Sequence, residues 1–210
     1  MPTIKNGVLL EVSDDEIKSG QYIVPDGVKV IGDRLFSKRR LESIILPEGL
    51  EEIGISTFSH CHLKEIIIPE SVVEIGNFAF WDNDLVNIVI PEKVKIIRKV
   101  TFSKNKLESV ILPKGLEKIE SFGFSENKIK EIILPEGIIA IDLCALANNK
   151  LLEIVIPESV EYLGMGSFGN NPLHKVIIKG NPDINTPAFP NRSKIIYSDP
   201  EVKELKIRRK

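Results

Sequence analysis

Proline recurs at Pro25, Pro47, Pro69, Pro91, Pro113, Pro135 and Pro157, each 22 residues after the last, with no insertion or deletion between them. A period that strict means stacked copies of one unit, because a unit of this size cannot bury its apolar face alone and must rest on its neighbours. The columns of the repeat then identify the core. With each proline as position zero, position +3 holds Val28, Leu50, Val72, Val94, Leu116, Ile138 and Val160. Position +6 holds Ile31, Ile53, Ile75, Ile97, Ile119, Ile141 and Leu163. Position +11 is Phe36, Phe58, Phe80, Phe102, Phe124, Leu146 and Phe168, which predicts a stack of phenyl rings filling the width of the coils.

Positions +16, +19 and +21 are apolar in every copy, as in Leu107, Val110 and Leu112, and this pattern predicts one β-strand per coil. Strands one turn apart lie parallel at roughly 4.8 Å, so eight coils would make a body about 35 to 40 Å long. The closing proline ends each strand, since it has no N–H for the ladder. Position +14 is Asn83, Asn105, Asn127, Asn149 and Asn171, preceded by Arg39 and Cys61. Buried asparagine can bond the backbone of its own turn and of the next, so an asparagine ladder is expected.

The units, most fully "IPESVVEIGNFAFWDNDLVNIVIP" at residues 68–91, resemble the leucine-rich repeat of BspA-like bacterial surface proteins, over about residues 21–199. The resemblance implies a right-handed β-solenoid or horseshoe, a non-catalytic binding role, adhesion to host or neighbouring-cell proteins, and a secreted or cell-surface location. Read without it, the start "MPTIKNGVLL" lacks the basic head and apolar run of a signal peptide, and the expected location is the cytosol.

One domain is expected over residues 1–210, with an N-terminal cap at 1–20, the repeat array at 21–178 and a degenerate coil with its cap at 179–210. Asn6-Gly7 suits a tight hairpin turn. Ser13 to Glu16 reads as the capping box of a short helix. At the far end, Asp199 and Pro200 read as the start of a closing helix, and Arg208 to Lys210 as a solvated basic tail.

With 28 basic and 30 acidic residues the formal charge is −2, so neither nucleic acid nor membrane insertion is suggested as a partner. "GMGSFG", Gly164 to Gly169, matches a dinucleotide fingerprint in letters only, because its glycines fall in columns of the repeat. "HCH", His60 to His62, offers metal-ligand types, but neighbours in one turn rarely converge and no second cluster lies a coil away, so solvated turn residues are expected. Cys144 lies 83 residues from Cys61, beyond disulfide reach, and both should be free thiols. No nucleophile, base and acid combination breaks the repeat, so no enzyme activity, cofactor or metal is expected.

Position +20 is the informative one: Ile45, Ile67, Val89, Ile111, Ile133, Val155 and Ile177. Strand alternation turns these residues away from the core, giving a continuous apolar stripe along a concave sheet. Such a stripe either supports the sheet by packing along the row or marks a binding face. Polar neighbours at +18, including Glu65, Asn87, Glu131 and Glu153, would tune selectivity, and Trp81, alone in a column of small residues, is a candidate anchor or a packing residue. Recognition of a protein ligand through the concave sheet is expected. The alternative is a scaffold or spacer that self-associates through that face as a homodimer.

Overall fold

The computed structural model describes residues 1–198 and winds them into a solenoid of about nine coils, with parallel strands and almost no helix. Every coil from Pro25 to Pro157 begins with the same turn, in which the N–H at +3 donates to the proline carbonyl, as from Leu50 to Pro47 at 3.0 Å. Positions +5 and +6 then form a two-residue strand. These are β4 (Val30–Ile31), β6 (Glu52–Ile53), β7 (Glu74–Ile75), β9 (Ile96–Ile97), β11 (Lys118–Ile119), β12 (Ala140–Ile141), β14 (Tyr162–Leu163) and β16 (Asp183–Ile184). They pair in parallel within two runs, one ending at β7 and the other starting at β9. The expected strand is thus joined in most coils by a second, shorter one that the sequence reading did not foresee. The stretch expected only to turn the chain has the period-two alternation of a strand, with its +6 residue buried and its +5 residue outward.

The expected concave strands are β3 (Gln21–Ile23), β5 (Ser43–Ile45), β8 (Asn87–Val89), β10 (Ser109–Ile111), β13 (Glu153–Ile156), β15 (Lys175–Ile178) and β17 (Lys194–Tyr197). They do not form one sheet. β3 pairs with β5, β8 with β10, and β13 with β15 and β17, always in parallel and in matched register. The extended segments 64–68 and 130–134 lie between these groups and make no backbone hydrogen bond among the described residues. The continuous concave sheet of the sequence reading is thus corrected to three short sheets separated by two unpaired segments. β17 also adds a coil beyond the eight expected.

What holds the coils together elsewhere is a spine of side chains. Phe36, Phe58, Phe80, Phe102 and Phe124 are fully buried, and their rings stack at 5.3 to 5.5 Å between centroids. Leu146 interrupts the column, and Phe168 resumes it against Phe189 at 5.3 Å. Beside the rings runs the asparagine ladder. Asn105 Nδ2 donates to the Phe80 carbonyl of the preceding coil at 2.9 Å and to Phe102 of its own at 3.2 Å, while its Oδ1 accepts the Leu85 N–H at 3.1 Å. Asn83, Asn127, Asn149 and Asn171 repeat this arrangement.

Both turns of the returning loop are left-handed. Position +9 has φ of 60° at Phe78, 61° at Val100 and 61° at Phe122, and position +13 has 57° at Asp82 and 55° at Lys104. Single residues in this region turn successive N–H groups to the same axial direction, so Phe78, Phe80 and Asp82 all donate to carbonyls of the following coil at 3.0 Å. Six axial bonds of this kind in two coils outweigh the local strain of about 1 kcal/mol per residue.

At the N-terminus, β1 (Thr3–Lys5) and β2 (Val8–Glu11) form an antiparallel hairpin whose turn has φ of 52° at Asn6 and 77° at Gly7. β2 continues the ladder of β4 and so covers the first coil. The short helix expected after Ser13 is a single 3-10 turn, Asp14–Glu16, with the Glu16 carboxylate accepting both the N–H and the hydroxyl of Ser13 at 2.9 Å. The helix expected at Asp199 and the tail Arg208 to Lys210 lie outside the described residues.

Candidate functional site

Alternation along the concave segments from β5 to β15 buries +19 and, save for half-buried Leu112, +21, and turns +20 outward. Ile45 is 62% exposed, Ile67 87%, Val89 52%, Ile111 58%, Ile133 78% and Val155 42%. Ile177 is half-buried. Sequence reasoning missed one member: Ile23, 67% exposed, stands two residues before Pro25 as the others stand before their prolines, and the same count would have found it.

The two most exposed members, Ile67 and Ile133, belong to the two unpaired segments. A hollow of about 660 Å³ lies beside the first, lined by Glu48, Glu65, Ile67, Glu70, Asn87 and Val89 among others. Hollows of about 640 Å³ flank the second on both sides, one reaching Ile111 and Lys114, the other Glu153, Val155 and Lys179.

Charge is distributed unevenly along this face. Asp26, Glu48, Glu65, Glu70 and Glu92 in the N-terminal half have no cationic side chain within 4.0 Å among the described residues, although Glu70 accepts the Glu92 N–H and Glu92 accepts the Lys114 N–H. In the C-terminal half, Glu136 meets Lys179 at 2.8 Å, and Glu153 meets Lys175 at 3.0 Å and His174 at 3.3 Å. The Lys175 hydrogen bond, with the adjacent His174, holds the Glu153 carboxyl below its ordinary range. Glu131 has no ion pair among the described residues.

Trp81 does not stand free. It is half-buried on the loop side, with the His60 ring edge-on at 4.4 Å, Phe78 at 5.9 Å and Lys104 Nζ 5.8 Å above the indole. The structure therefore places it away from the +20 row and packed into the adjoining coils.

"HCH" separates as its side chains alternate. His60 Nδ1 lies 2.6 Å from Asp82, and His62 Nδ1 lies 3.5 Å from Asp84. Cys61, expected as a solvated turn residue, is instead fully buried, because it occupies the asparagine column and donates to the Phe36 carbonyl at 2.9 Å as the asparagine amides do. Burial pushes its thiol up to about 12. Cys61 and Cys144 are both free thiols, and no group of three metal-ligating side chains occurs among the described residues.

The BspA-type leucine-rich-repeat family model matches residues 16–84 and 73–196 in six copies. No curated protein matches the chain. A leucine-rich repeat protein from Bacteroides ovatus is 27% identical with a TM-score of 0.59, over 84% of this chain and 55% of its own. A leucine-rich cell surface protein from Faecalibacterium prausnitzii shares the fold at 18% identity and a TM-score of 0.61, over 94% of this chain and 76% of its own. The chain thus spans about half the length of the Bacteroides ovatus protein. With coils, columns and family model all in the same register, the chain belongs to the BspA-type leucine-rich-repeat family.

Proposed function

We propose that the chain is a non-catalytic recognition module that takes a protein ligand on its concave face. The observation that carries this reading is the +20 row: an aliphatic side chain stands outward in successive coils from Ile23 to Val155. Contiguous apolar surface on that scale exceeds what a soluble monomer ordinarily leaves bare. The acidic N-terminal half and the partly neutralised C-terminal half supply polarity, so a bound protein has one preferred direction along the trough. Adhesion to host or neighbouring-cell proteins, which BspA-like membership implies, is the proposed setting.

The test is a triple variant, Ile67→Thr, Ile111→Thr and Ile133→Thr. Threonine retains the β-branch and strand preference while removing apolar contact. The variant should keep its melting midpoint and lose capture of the protein ligand recovered by the parent. A parental dimer, seen by light scattering and absent in the variant, would assign the face to self-association instead. Capture and mass both unchanged would reduce the row to packing along the coils.

A further inference from the structure

The joint between the first two repeat coils is built differently from those that follow it. Cys61 and Arg39 stand where later coils have asparagine, so no amide oxygen is present to accept the Leu41 N–H, which goes to the Cys61 carbonyl at 3.0 Å. The equivalent N–H groups of Leu63, Leu85 and Leu107 are taken by asparagine Oδ1. The His62 N–H, on a residue whose backbone is left-handed with φ of 67°, finds no acceptor among the described residues. Its counterparts Asp84, Lys106, Lys128 and Lys150 each donate to a carbonyl of the preceding coil, at 2.9 to 3.0 Å. The Lys64 N–H, in the first unpaired segment, is also without an acceptor among the described residues, as are those of Val86, Lys130 and Leu152 in the same column, whereas those of Glu42, Glu108 and His174 are bonded.

These two residues belong to the wall of a recess of about 480 Å³ on the loop side of the concave face. The rest of the wall is Lys38, Arg39, Arg40, His60 and a single carboxylate, Glu42. Arg39 is held in place, with Nη1 donating to the Val12 carbonyl at 2.6 Å and lying 3.5 Å from Asp14. Arg40 faces Glu42 at 3.5 Å. Lys38 and Lys64 have no ion pair among the described residues. The carboxylates that meet His60 and His62 belong to the next coil, and one of them, Asp84, is also engaged by Lys106 at 2.6 Å. A chain of net charge −2 therefore gathers four permanent cations against one anion at a joint with two unused main-chain donors.

We propose that this recess binds a tetrahedral oxyanion, a sulfate or phosphate ester carried by a glycan or a small molecule. Convergent N–H donors and guanidinium or ammonium groups are what such an anion requires, and an anchored arginine is ordered before the ligand arrives. A long polyphosphate chain fits poorly, because Asp14 beside Arg39, and Asp82 and Asp84 beside the two histidines, would repel its flanking groups.

His60 is in ring contact with Trp81, the one tryptophan of the chain, so indole fluorescence reports on the recess. Inorganic phosphate, pyrophosphate and a heparin-derived hexasaccharide should be titrated into the full chain, following fluorescence and heat. At least one should saturate, with an affinity that falls as salt rises. The double variant Lys38→Gln, Lys64→Gln should weaken that binding by about tenfold or more. Lys38→Arg with Lys64→Arg should restore it, and Lys128→Gln, in a later coil, should leave it unchanged. Tighter binding of the hexasaccharide assigns the anion to a sulfated glycan, and tighter binding of pyrophosphate to a phosphorylated ligand. Lack of saturation by all three probes, or a double variant that binds like its parent, overturns the proposal. The Ile67, Ile111 and Ile133 variant should bind the anion normally, so this inference and the protein-binding reading fail separately.

Discussion

Asn105 satisfies three backbone groups that no ladder reaches, the Leu85 N–H and the Phe80 and Phe102 carbonyls. Its replacement by alanine leaves the Leu85 N–H buried and unpaired and removes one of the two asparagine donors from each carbonyl, since Asn83 still reaches Phe80 and Asn127 still reaches Phe102; the stability should fall by about 2 kcal/mol, checked by urea unfolding. Asp84 makes a pH-dependent contribution. The Lys106 hydrogen bond, with His62 beside it, holds its carboxyl below the ordinary value of 3.8. A depressed folded-state value means the stabilisation is complete above pH 3.8 and is lost as pH falls through the folded value. The gap in melting temperature between the parent and Asp84→Asn should therefore be constant near neutral pH and close in acid. The phenylalanine and asparagine columns were legible in the sequence because each repeats one residue type with one physical use. The left-handed loop positions were not: of the seven residues at +9, only Gly166 is the type that normally reports such a conformation. There the axial hydrogen bonds set the backbone and the side chains accommodate it. Cys61 is buried although histidines flank it, because its place in the asparagine column, and not the polarity of its neighbours, sets its environment.

The concave segments show how far an element can be read from its pattern. Eight of the nine keep the alternation of a strand, the last, β17, leaving Ile195 exposed; the sequence reading rightly turned +20 outward yet could not separate paired segments from unpaired ones. Inter-coil pairing depends on how closely neighbouring backbones approach, and alternation carries no such information. One local signal does coincide with it. Lys64-Glu65 and Lys130-Glu131 are the two copies with lysine followed by glutamate at +17 and +18, and both are unpaired. Hydrogen exchange tests the consequence. Amides of 64–68 and 130–134 should exchange faster than those of β8, β10, β13 and β15, because no hydrogen bond must open first. Equal protection across all concave segments would show that the segments pair in solution.

Over the whole molecule, near-neutral charge conceals an acidic N-terminal trough, a partly neutralised C-terminal trough and a cationic recess at the first joint. Each follows from the constant 22-residue period, which keeps a given column on one line of the surface. The same regularity gives the two unpaired segments a mechanical meaning. The ring stack passes segment 64–68 without interruption while the asparagine ladder starts there at Asn83, and the ladder passes 130–134, where Phe124 gives way to Leu146 beyond it. The body is therefore stiff along its spine and compliant at two places on its inner surface. Bending concentrates there, like play in a chain joined along one edge, so the trough tightens or widens around its contents in three blocks while the spine keeps its length.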